Sequence, residues 1–199
     1  MLTKQELRKI MKGRLSSLPE ERFATEGKEA AKGLVKTEAW GQYRRVLLFL
    51  SMAGEIGMDA LLALAFEHRK DLYLPRTEGE AMRFYRVDSP QGRMAQGPWT
   101  TGAFGIREPA DCSSVRLFRG EDGPALVVTP GLAFDKKGRR MGRGGGYYDK
   151  FFASLDGKGA AYYSVGFCLA SQVIEEVPVD SHDKRLDALC TAEGFWSFS

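Results

Sequence analysis

The sequence predicts an α/β protein, a single three-layer domain with a mainly parallel sheet flanked by helices. Short continuous apolar runs at 45–51 (RVLLFLS) and 125–129 (ALVVT) are typical of strands buried on both faces. Stretches with helical spacing of apolar residues separate such runs, as in β-α-β units. The chain has 199 residues, 43% hydrophobic and 28% charged, which suits a globular domain of ordinary size. No repeat or linker divides it, so we predict one domain over 1–199.

Two helices are predicted before the first strand. Thr3 followed by Glu6 makes a capping box, and apolar residues recur behind it at helical spacing. Ser17 and Glu20 offer a second capping box, ahead of a helix that ends near Lys36. The chain is therefore expected to begin with an amphipathic helix, followed by a second one.

A β-α-β unit follows. The strand at 45–51 leads to a helix that Asp59 can cap, and the sequence DLYLP at 71–75 returns to strand. Parallel strands joined by a helix place ligands beyond their carboxyl ends. The segments after Leu50 and after Leu74 are therefore predicted site positions.

The rest of the chain alternates between the same two patterns. We predict a strand at 82–87 and a loop at 88–110, which is rich in Gly and Pro. The apolar strand at 125–129 leads directly into a glycine-rich segment. A helix from 147 to 155 and a strand at 161–167 follow.

The glycine-rich segment, 130–152 (PGLAFDKKGRRMGRGGGYYDKFF), is the strongest indication of a binding site. Its three consecutive glycines, 144–146, can adopt positive φ and approach a ligand closely, and their N–H groups precede a helix that begins near Tyr147. We expect five basic side chains to add charge to an anion site there: Lys136, Lys137, Arg139, Arg140 and Arg143. A solvated basic loop is the alternative, since neither the P-loop pattern nor the spaced dinucleotide fingerprint is present.

The charge distribution favours one focused anion site. Six basic residues against Asp149 alone give residues 136–150 a net charge of +5, whereas the whole chain carries +3. The remainder therefore sums to −2, unlike a protein that binds nucleic acid nonspecifically through an overall basic surface.

Cysteine and histidine are too few and too scattered for a zinc site or a disulfide framework. The chain has three cysteines, Cys112, Cys168 and Cys190, no CxxC pair, and two histidines, His68 and His182. A metal ion would then be held by carboxylates and water, which favours Mg²⁺.

No targeting or membrane segment is predicted. The sequence contains no apolar run of 18 residues, and its first 15 residues are charged throughout. We therefore expect a cytoplasmic protein with no membrane partner.

Three acidic positions are candidate site residues. Asp149 in the first turn of its helix is either a partner of the helix dipole or a Mg²⁺ ligand beside bound phosphates. Asp183 would supply a second carboxylate, although Asp180 and Asp187 are equally available by spacing. Glu55 is either a solvated loop residue or a carboxylate facing the crevice at the end of the first strand.

Basic and aromatic residues outside the glycine segment are further candidates. Lys4 and Arg8 belong to one stripe of the first helix, which would either reach a phosphate or form a solvated face. Trp99 and Phe104 in the long loop would either stack on a planar ring or cover the core.

At these residues the chain resembles the 5-formyltetrahydrofolate cyclo-ligase family. PGLAFD at 130–135 followed by GRGGGYYDKF at 142–151 is similar to the signature of that family and is its most specific part. Shorter pieces occur in the family's order and approximate spacing and extend the resemblance over nearly the whole chain: KQELR near the N-terminus, FLSM and Glu55, LPR at 74–76, FGIREP at 104–109 and VPVDSHDKRLD at 177–187.

The resemblance implies an ATP- and Mg²⁺-dependent ligase that converts 5-formyltetrahydrofolate to 5,10-methenyltetrahydrofolate, with release of ADP and phosphate. In this family the formyl oxygen, a poor leaving group, is phosphorylated, N10 attacks the formyl carbon, and phosphate is expelled. Such phosphoryl transfer requires positioning and charge neutralisation more than covalent help from the protein. The resemblance also implies a compact three-layer α/β fold.

The resemblance assigns a role to each site residue, with Arg143 and Tyr147 taken as catalytic. Some relatives carry a lysine at the position of Gly145, and that role would fall here to Arg143, to Arg140 or to no residue. The residues implied to contact ATP are Lys4, Arg8, Arg140, Met141, Gly142, Arg143, Gly144, Gly145, Gly146, Tyr147 and Tyr148. Those implied to contact the folate are Leu50, Glu55, Phe104, Arg143, Gly144, Gly145, Gly146 and Tyr147, and those for Mg²⁺ are Asp149 and Asp183.

Two other readings of the same residues stay open at this point. A phosphosugar isomerase or a CoA-transferase-like enzyme would use the glycine segment to hold a substrate phosphate. An RNA-binding module would use three arginines (Arg139, Arg140, Arg143) with Tyr147 and Tyr148 as stacking groups, although the rest of the chain offers it little positive charge. We favour the ligase, and expect a monomer that binds no nucleic acid.

Overall fold

A seven-stranded sheet forms the centre of the protein. The computed structural model describes residues 2–87, 99–101, 107–109, 116–180 and 183–198. Its strands are β1 (Arg45–Leu47), β2 (Asp71–Glu78), β3 (Ala81–Val87), β6 (Ala125–Thr129), β9 (Tyr162–Phe167), β10 (Ala188–Thr191) and β11 (Gly194–Ser197). They are arranged in the sheet in the order β11-β10-β9-β6-β1-β2-β3.

The five inner strands run parallel, and each edge strand is antiparallel to its neighbour. β1 pairs in parallel with both β2 and β6, with Val46 opposite Leu72 and Leu126. β9 continues the parallel series between β6 and β10. β3 and β11 pair antiparallel with β2 and β10. The predicted α/β class with a mainly parallel sheet is confirmed.

Helices flank both faces of this sheet. They are α1 (Lys4–Ser16), α2 (Glu20–Leu34), α3 (Glu38–Gln42), α4 (Asp59–Glu67) and α5 (Tyr147–Asp156). Side chains from α1, α2 and α4 pack with alternate strand residues such as Val46 and Val128 in one apolar cluster. α5 packs with the opposite strand residues, such as Leu47 and Val127, in a second cluster. Alternation along each strand thus divides the core into two layers of apolar contacts around the sheet.

One of the three predicted helix N-caps is confirmed. The Thr3 hydroxyl accepts from the backbone N–H of Glu6, whose carboxylate accepts from Thr3, so the first capping box is confirmed. The second is wrong: α2 begins after Pro19, which gives no side-chain cap. Met58, not Asp59, precedes α4. The chain turns into α2 through proline, whose fixed φ suits a helix start without a hydroxyl acceptor.

Two short hairpins stand outside the main sheet. β4 (Trp99–Thr101) and β5 (Arg107–Pro109) pair antiparallel inside the stretch that was predicted as loop, so that prediction is wrong for these residues. β7 (Ala133–Phe134) and β8 (Arg140–Met141) form the second hairpin within the glycine-rich segment. This hairpin carries the chain from β6 to α5.

The remaining class predictions concern membranes and thiols. Within the part of the chain that the structure describes, no helix is long and apolar enough to cross a bilayer. Cys168 and Cys190 are free thiols in the core, and burial raises the pKa of Cys190 to about 12. Cys112 and His182 lie outside the described residues.

Candidate functional site

A cavity of about 1000 Å³ opens at the carboxyl ends of β1 and β6. Among the described residues, its wall is built from α1, the segment after β1, the β2–β3 hairpin and the glycine-rich segment, together with Pro178, Asp180 and Asp183. The residues predicted for the site that line it are Lys4, Arg8, Leu50, Glu55, Arg140, Met141, Gly142, Arg143, Gly144, Gly145, Gly146, Tyr147, Tyr148, Asp149 and Asp183. Phe104 lies outside the described residues. Chain segments far apart in sequence therefore meet at one opening.

α1 contributes one face of basic side chains to this cavity. Lys4, Arg8 and Lys12, spaced four residues apart, all line it, while Leu7 and Met11 are buried in the core. Arg8 Nε donates to the carbonyl oxygen of Gly142 at 3.2 Å. The stripe seen in the sequence is therefore packed beside the glycine-rich segment rather than fully solvated.

Lys4 makes an ion pair with the loop on the other side of the opening. Its ammonium donates to Asp180 Oδ2 at 2.7 Å and also to Asp183 Oδ2. Burial lowers the pKa of Lys4, but the hydrogen bonds and charges of the two aspartates outweigh burial and raise it. The ammonium is therefore fully charged at neutral pH.

Two of the three consecutive glycines, 144–146, have a positive φ angle. Gly144 has φ 116° and Gly146 has φ 67°, both in the region that favours glycine. Gly146 is also the residue from which α5 begins. Gly145 has no positive φ, but a Cβ there would lie 2.8 Å from the ring of Tyr147. Two glycines thus serve the backbone turn, and the third leaves room for an aromatic ring.

Arg143 is paired with the carboxylate at the end of the first parallel strand. Its Nε donates to Glu55 Oε1 at 2.8 Å, and the other oxygen of Glu55 accepts from the backbone N–H of Met52 at 3.0 Å. Glu55 is only 8% exposed, whereas the Arg143 side chain is 33% exposed. Glu55 is therefore a buried, hydrogen-bonded residue of the cavity wall and not a solvated loop residue.

Arg140 forms a second pair with Asp149. Its Nη2 donates to Asp149 Oδ1 at 2.9 Å, and Nη1 donates to the carbonyl oxygen of Pro130 at 3.3 Å. Its guanidinium also lies 5.4 Å from the centre of the Tyr148 ring. The Arg140 side chain is 4% exposed and that of Asp149 is 27% exposed. Asp149 thus points to the cavity with a fixed arginine behind it.

The hydroxyl of Tyr148 is buried without a hydrogen-bond partner among the described residues. Its ring packs against Phe84 and Phe152 in the core. Burial raises the pKa of this phenol far above its ordinary value, against the opposing charge of Arg140. The hydroxyl therefore stays protonated at neutral pH and is a hydrogen-bond donor without an acceptor among the described residues.

The other basic residues of the glycine-rich segment do not line the cavity, contrary to the expectation that all five would add charge to it. Lys136 and Lys137 are exposed, and Lys136 lies 6.0 Å from the ring of Trp196. Arg139 pairs instead with Asp135 at 2.7 Å and with Glu176 at 3.0 Å. Their charges are thus solvated or neutralised elsewhere.

Asp135 is a structural residue that the sequence did not single out. Fully buried, it accepts backbone N–H groups from Lys137, Arg139 and Val177 in addition to the Arg139 side chain. It ties the β7–β8 hairpin to the loop that leads to residues 178–183. The only signal for it was its place in PGLAFD, which resemblance marked as a whole.

The cavity wall is close to charge balance. Among the described residues, the wall has five cations, Lys4, Arg8, Lys12, Arg140 and Arg143, and four carboxylates, Glu55, Asp149, Asp180 and Asp183, for a formal charge of +1. The net charge of +5 counted along residues 136–150 is therefore not concentrated at the site. Three of the five cations, Lys4, Arg140 and Arg143, are paired with wall carboxylates.

The donor set fits a hard divalent cation only in part. No group of three or more His, Cys, Asp or Glu side chains that would hold a metal occurs among the described residues. Mg²⁺ commonly takes one or two carboxylates and completes its shell with phosphate oxygens and water. Asp149 and Asp183 both line the cavity, as does Asp180, whereas Asp187 accepts from Ser164 away from it. The residues present thus fit Mg²⁺ that arrives with phosphates.

Sequence reasoning missed several residues of the wall. Pro75, Thr77 and Met82 bring the β2–β3 hairpin to the opening, and Met52 completes a neighbouring face. The prediction that the segment after Leu74 would lie at the site gave the correct region without naming these side chains.

Comparison with known proteins identifies relatives of the whole chain. The model of the 5-formyltetrahydrofolate cyclo-ligase family matches residues 1–192. A probable 5-formyltetrahydrofolate cyclo-ligase of Schizosaccharomyces pombe is 30% identical over 202 residues, covering 96% of each chain. The 5-formyltetrahydrofolate cyclo-ligase of Mus musculus is 27% identical, covering 92% of this chain and 91% of its own.

A solved structure shares the fold. The NMR structure of Aquifex aeolicus 5,10-methenyltetrahydrofolate synthetase matches with a TM-score of 0.81 and 29% sequence identity. The match covers 99% of this chain and 93% of that one.

Proposed function

This chain belongs to the 5-formyltetrahydrofolate cyclo-ligase family, and we propose from that premise that it converts 5-formyltetrahydrofolate to 5,10-methenyltetrahydrofolate, using ATP as phosphoryl donor and Mg²⁺ as metal. One observation carries the proposal. Every described residue that the sequence assigned to ATP, folate or metal lines one cavity, although these residues range from Lys4 to Asp183.

The proposed nucleotide site combines α1 with the glycine-rich segment. Lys4 and Arg8 lie on one wall, and Arg140 to Tyr148 form the other. The N–H groups of Gly144 to Gly146 make no hydrogen bond to a described residue and precede the positive end of α5. These donors and cations support a triphosphate site in which positioning is supplied by backbone and charge by side chains.

The proposed folate site lies between β1 and the same glycines. Leu50 offers an apolar contact, and Glu55, held by Arg143, offers carboxylate oxygens to the N–H groups of a heterocycle. Tyr147 extends this wall toward β3, where its hydroxyl donates to the carbonyl oxygen of Gly79 at 3.4 Å. Phe104, which the resemblance adds to this set, stays a prediction.

Asp149 and Asp183 would hold Mg²⁺. The ion would supply neutralisation of charge on the transferring phosphoryl group, the main requirement of such chemistry. The chain's own contribution is to keep both carboxylates at the cavity wall through their contacts with Arg140 and Lys4.

The main contribution of this chain to the reaction is to align ATP with the folate. The γ-phosphoryl group moves from ATP to the formyl oxygen, N10 then attacks the formyl carbon and loses its proton, and the oxygen leaves with phosphate. Arg143 is a half-buried cation next to the folate wall, so we assign it the neutralisation of the transferring phosphoryl group. It therefore takes the role for which some relatives have a lysine at the Gly145 position, while Tyr147 aligns the ring.

The test is a direct assay. Purified protein, Mg·ATP and 5-formyltetrahydrofolate should give a rise in the ultraviolet absorbance of the methenyl product, and omission of ATP or addition of a chelator should abolish it. Absence of an ATP-dependent rise would contradict the proposal. A phosphosugar isomerase or CoA-transferase-like enzyme would also show no nucleotide-induced thermal shift. The cytoplasmic location and the monomeric state remain predictions.

A further inference from the structure

The proposed ligand groups of the cavity are paired with one another. Lys4 binds Asp183, Arg140 binds Asp149, and Arg143 binds Glu55. In each pair one member is a cation assigned to ATP or to the transferring phosphate, and the other is a carboxylate assigned to metal or folate. A ligand that binds the same atoms must therefore displace or rearrange an internal ion pair.

The cation of the Asp183 pair is less firmly held than the cation of the Asp149 pair. The Asp183 side chain is 12% exposed, and its Oδ2 accepts from both the Lys4 ammonium and the backbone N–H of Asp180. Lys4 is 20% exposed at the beginning of α1, and four rotatable bonds separate its ammonium from the helix. Arg140, in contrast, is held by Pro130 and the Tyr148 ring as well as by its carboxylate.

We propose that Lys4 competes with the metal ion for the Asp183 carboxylate. In the nucleotide-free protein the Lys4 ammonium binds this carboxylate, and it moves to the nucleotide phosphates when the metal binds. This inference rests on the proposed function. An ammonium and a divalent cation compete for the same oxygen, because like charges repel at this separation. A triphosphate offers the ammonium a new anionic partner. Metal and nucleotide then favour each other's binding, and by linkage this coupling is reciprocal.

The experiment measures binding of Mn²⁺, a paramagnetic substitute for Mg²⁺, to nucleotide-free protein by electron paramagnetic resonance. Lys4→Met keeps the aliphatic stem and removes the ammonium. We expect it to bind Mn²⁺ at least ~10-fold more tightly than wild type. Lys9→Met is the matched control, since Lys9 is exposed on the same helix outside the cavity. It should leave Mn²⁺ affinity unchanged.

A second variant locates the gained site. Lys4→Met with Asp183→Asn should return Mn²⁺ binding to the weak wild-type level. Retained tight binding in this double variant would overturn the proposal, because the metal would then be bound elsewhere. A Lys4→Met protein that folds normally by circular dichroism but gains no Mn²⁺ affinity would overturn it too.

Nucleotide binding separates this inference from the proposed function. Wild type should show a thermal shift with the ATP analogue AMP-PNP, and Lys4→Met a smaller one. A wild-type protein with neither this shift nor product formation would overturn the proposed function, and the exchange to phosphates with it. An active, nucleotide-binding protein whose Lys4→Met variant gains no Mn²⁺ affinity would overturn this inference alone.

Discussion

Arg139 and Arg140 are consecutive residues, yet they serve opposite purposes. Arg139 turns to Asp135, which is fully buried and has three further N–H donors around it. Arg140 turns to Asp149, whose side chain is 27% exposed at the cavity. Side chains of neighbouring residues in an extended chain point to opposite sides. Arg139 therefore pairs with a buried carboxylate, whereas Arg140 lines the cavity.

The difference shows how to tell a structural ion pair from one available to a ligand. At Asp135 every oxygen is engaged by protein groups and shielded from water, so a ligand has no access. At Asp149 a single arginine engages one oxygen, and the residue lines the cavity. Burial and the number of donors, rather than the residue types, separate the two pairs.

Replacing Arg139 should give the largest effect on stability. Arg139→Met leaves the buried Asp135 carboxylate without a cation, which should lower the free energy of unfolding by about 3 kcal/mol. Urea unfolding at neutral pH measures it, and kcat per folded molecule should stay near the wild-type value.

Arg140→Met is the matched variant. Asp149 keeps contact with solvent, so the loss of stability should be about 1 kcal/mol, while KM for ATP should rise roughly tenfold. Equal losses of stability in the two variants would show that the comparison between them is mistaken.

Arg143→Ala should give the largest loss of activity. Removing a cation next to the transferring phosphoryl group should lower kcat about 100-fold. Steady-state assay of product formation measures this loss, and Arg143→Lys should recover only part of it because lysine cannot reproduce the guanidinium geometry. Lys137→Ala, an exposed position of the same segment outside the cavity, should have wild-type activity. Full activity of Arg143→Ala would remove that residue from the proposed site.

Tyr148→Phe should change stability in the unusual direction. It removes a buried hydroxyl that has no partner, so the free energy of unfolding should stay constant or rise by about 1 kcal/mol. Tyr162→Phe is the control, because the Tyr162 hydroxyl donates to Asp156 at 2.7 Å and its loss should cost about 1 kcal/mol. Thermal and urea unfolding of both variants would test this contrast, and a large loss of stability in Tyr148→Phe would reveal a structural bond.

The smallest expected effect lies far from the cavity, at the end of α5. Burial raises the pKa of Asp156, but hydrogen bonds from Lys184 and Tyr162 outweigh burial and lower the pKa below its ordinary value of 3.8. A lowered carboxyl pKa stabilises the fold above that ordinary value, and the stabilisation is lost as pH falls through the folded pKa. Asp156 is 45% exposed, so Asp156→Asn should cost only about 0.5 kcal/mol.

Urea unfolding across pH measures this contribution. The difference between wild type and Asp156→Asn should shrink between about pH 6 and about pH 3. A difference that grows toward acid would contradict the assignment.

The sequence predicted four of the five inner strands, because an apolar run can be recognised without its partner in the sheet. β6 carries this signal along its whole length. β10, the fifth inner strand, and its edge neighbour β11 have four residues each and were missed, since segments this short are defined by their pairing with residues elsewhere. The Ser17 and Glu20 box failed for a related reason, because the preference for a cap yielded to the turn at Pro19.

The site was predicted as a set of positions but not as a set of pairs. The resemblance placed Arg140 and Asp149 in it, whereas residue type and charge alone do not distinguish Arg139 from Arg140. Which carboxylate each arginine meets depends on the β7–β8 hairpin and on the position of Glu176, and hence on tertiary contacts. Counting charged residues along the chain could not predict the charge balance of the cavity, because the ion pairs also depend on tertiary contacts.

The ring of Tyr147 stands where a side chain at position 145 would begin. Replacing Gly145 with a lysine would require this ring to move, and with it the contact to Gly79 between β2 and β3. Replacement at 145 alone would therefore pass through a poorly packed intermediate. We expect the two positions to have changed together during the divergence of this family, with the hairpin tip adjusting in the same step.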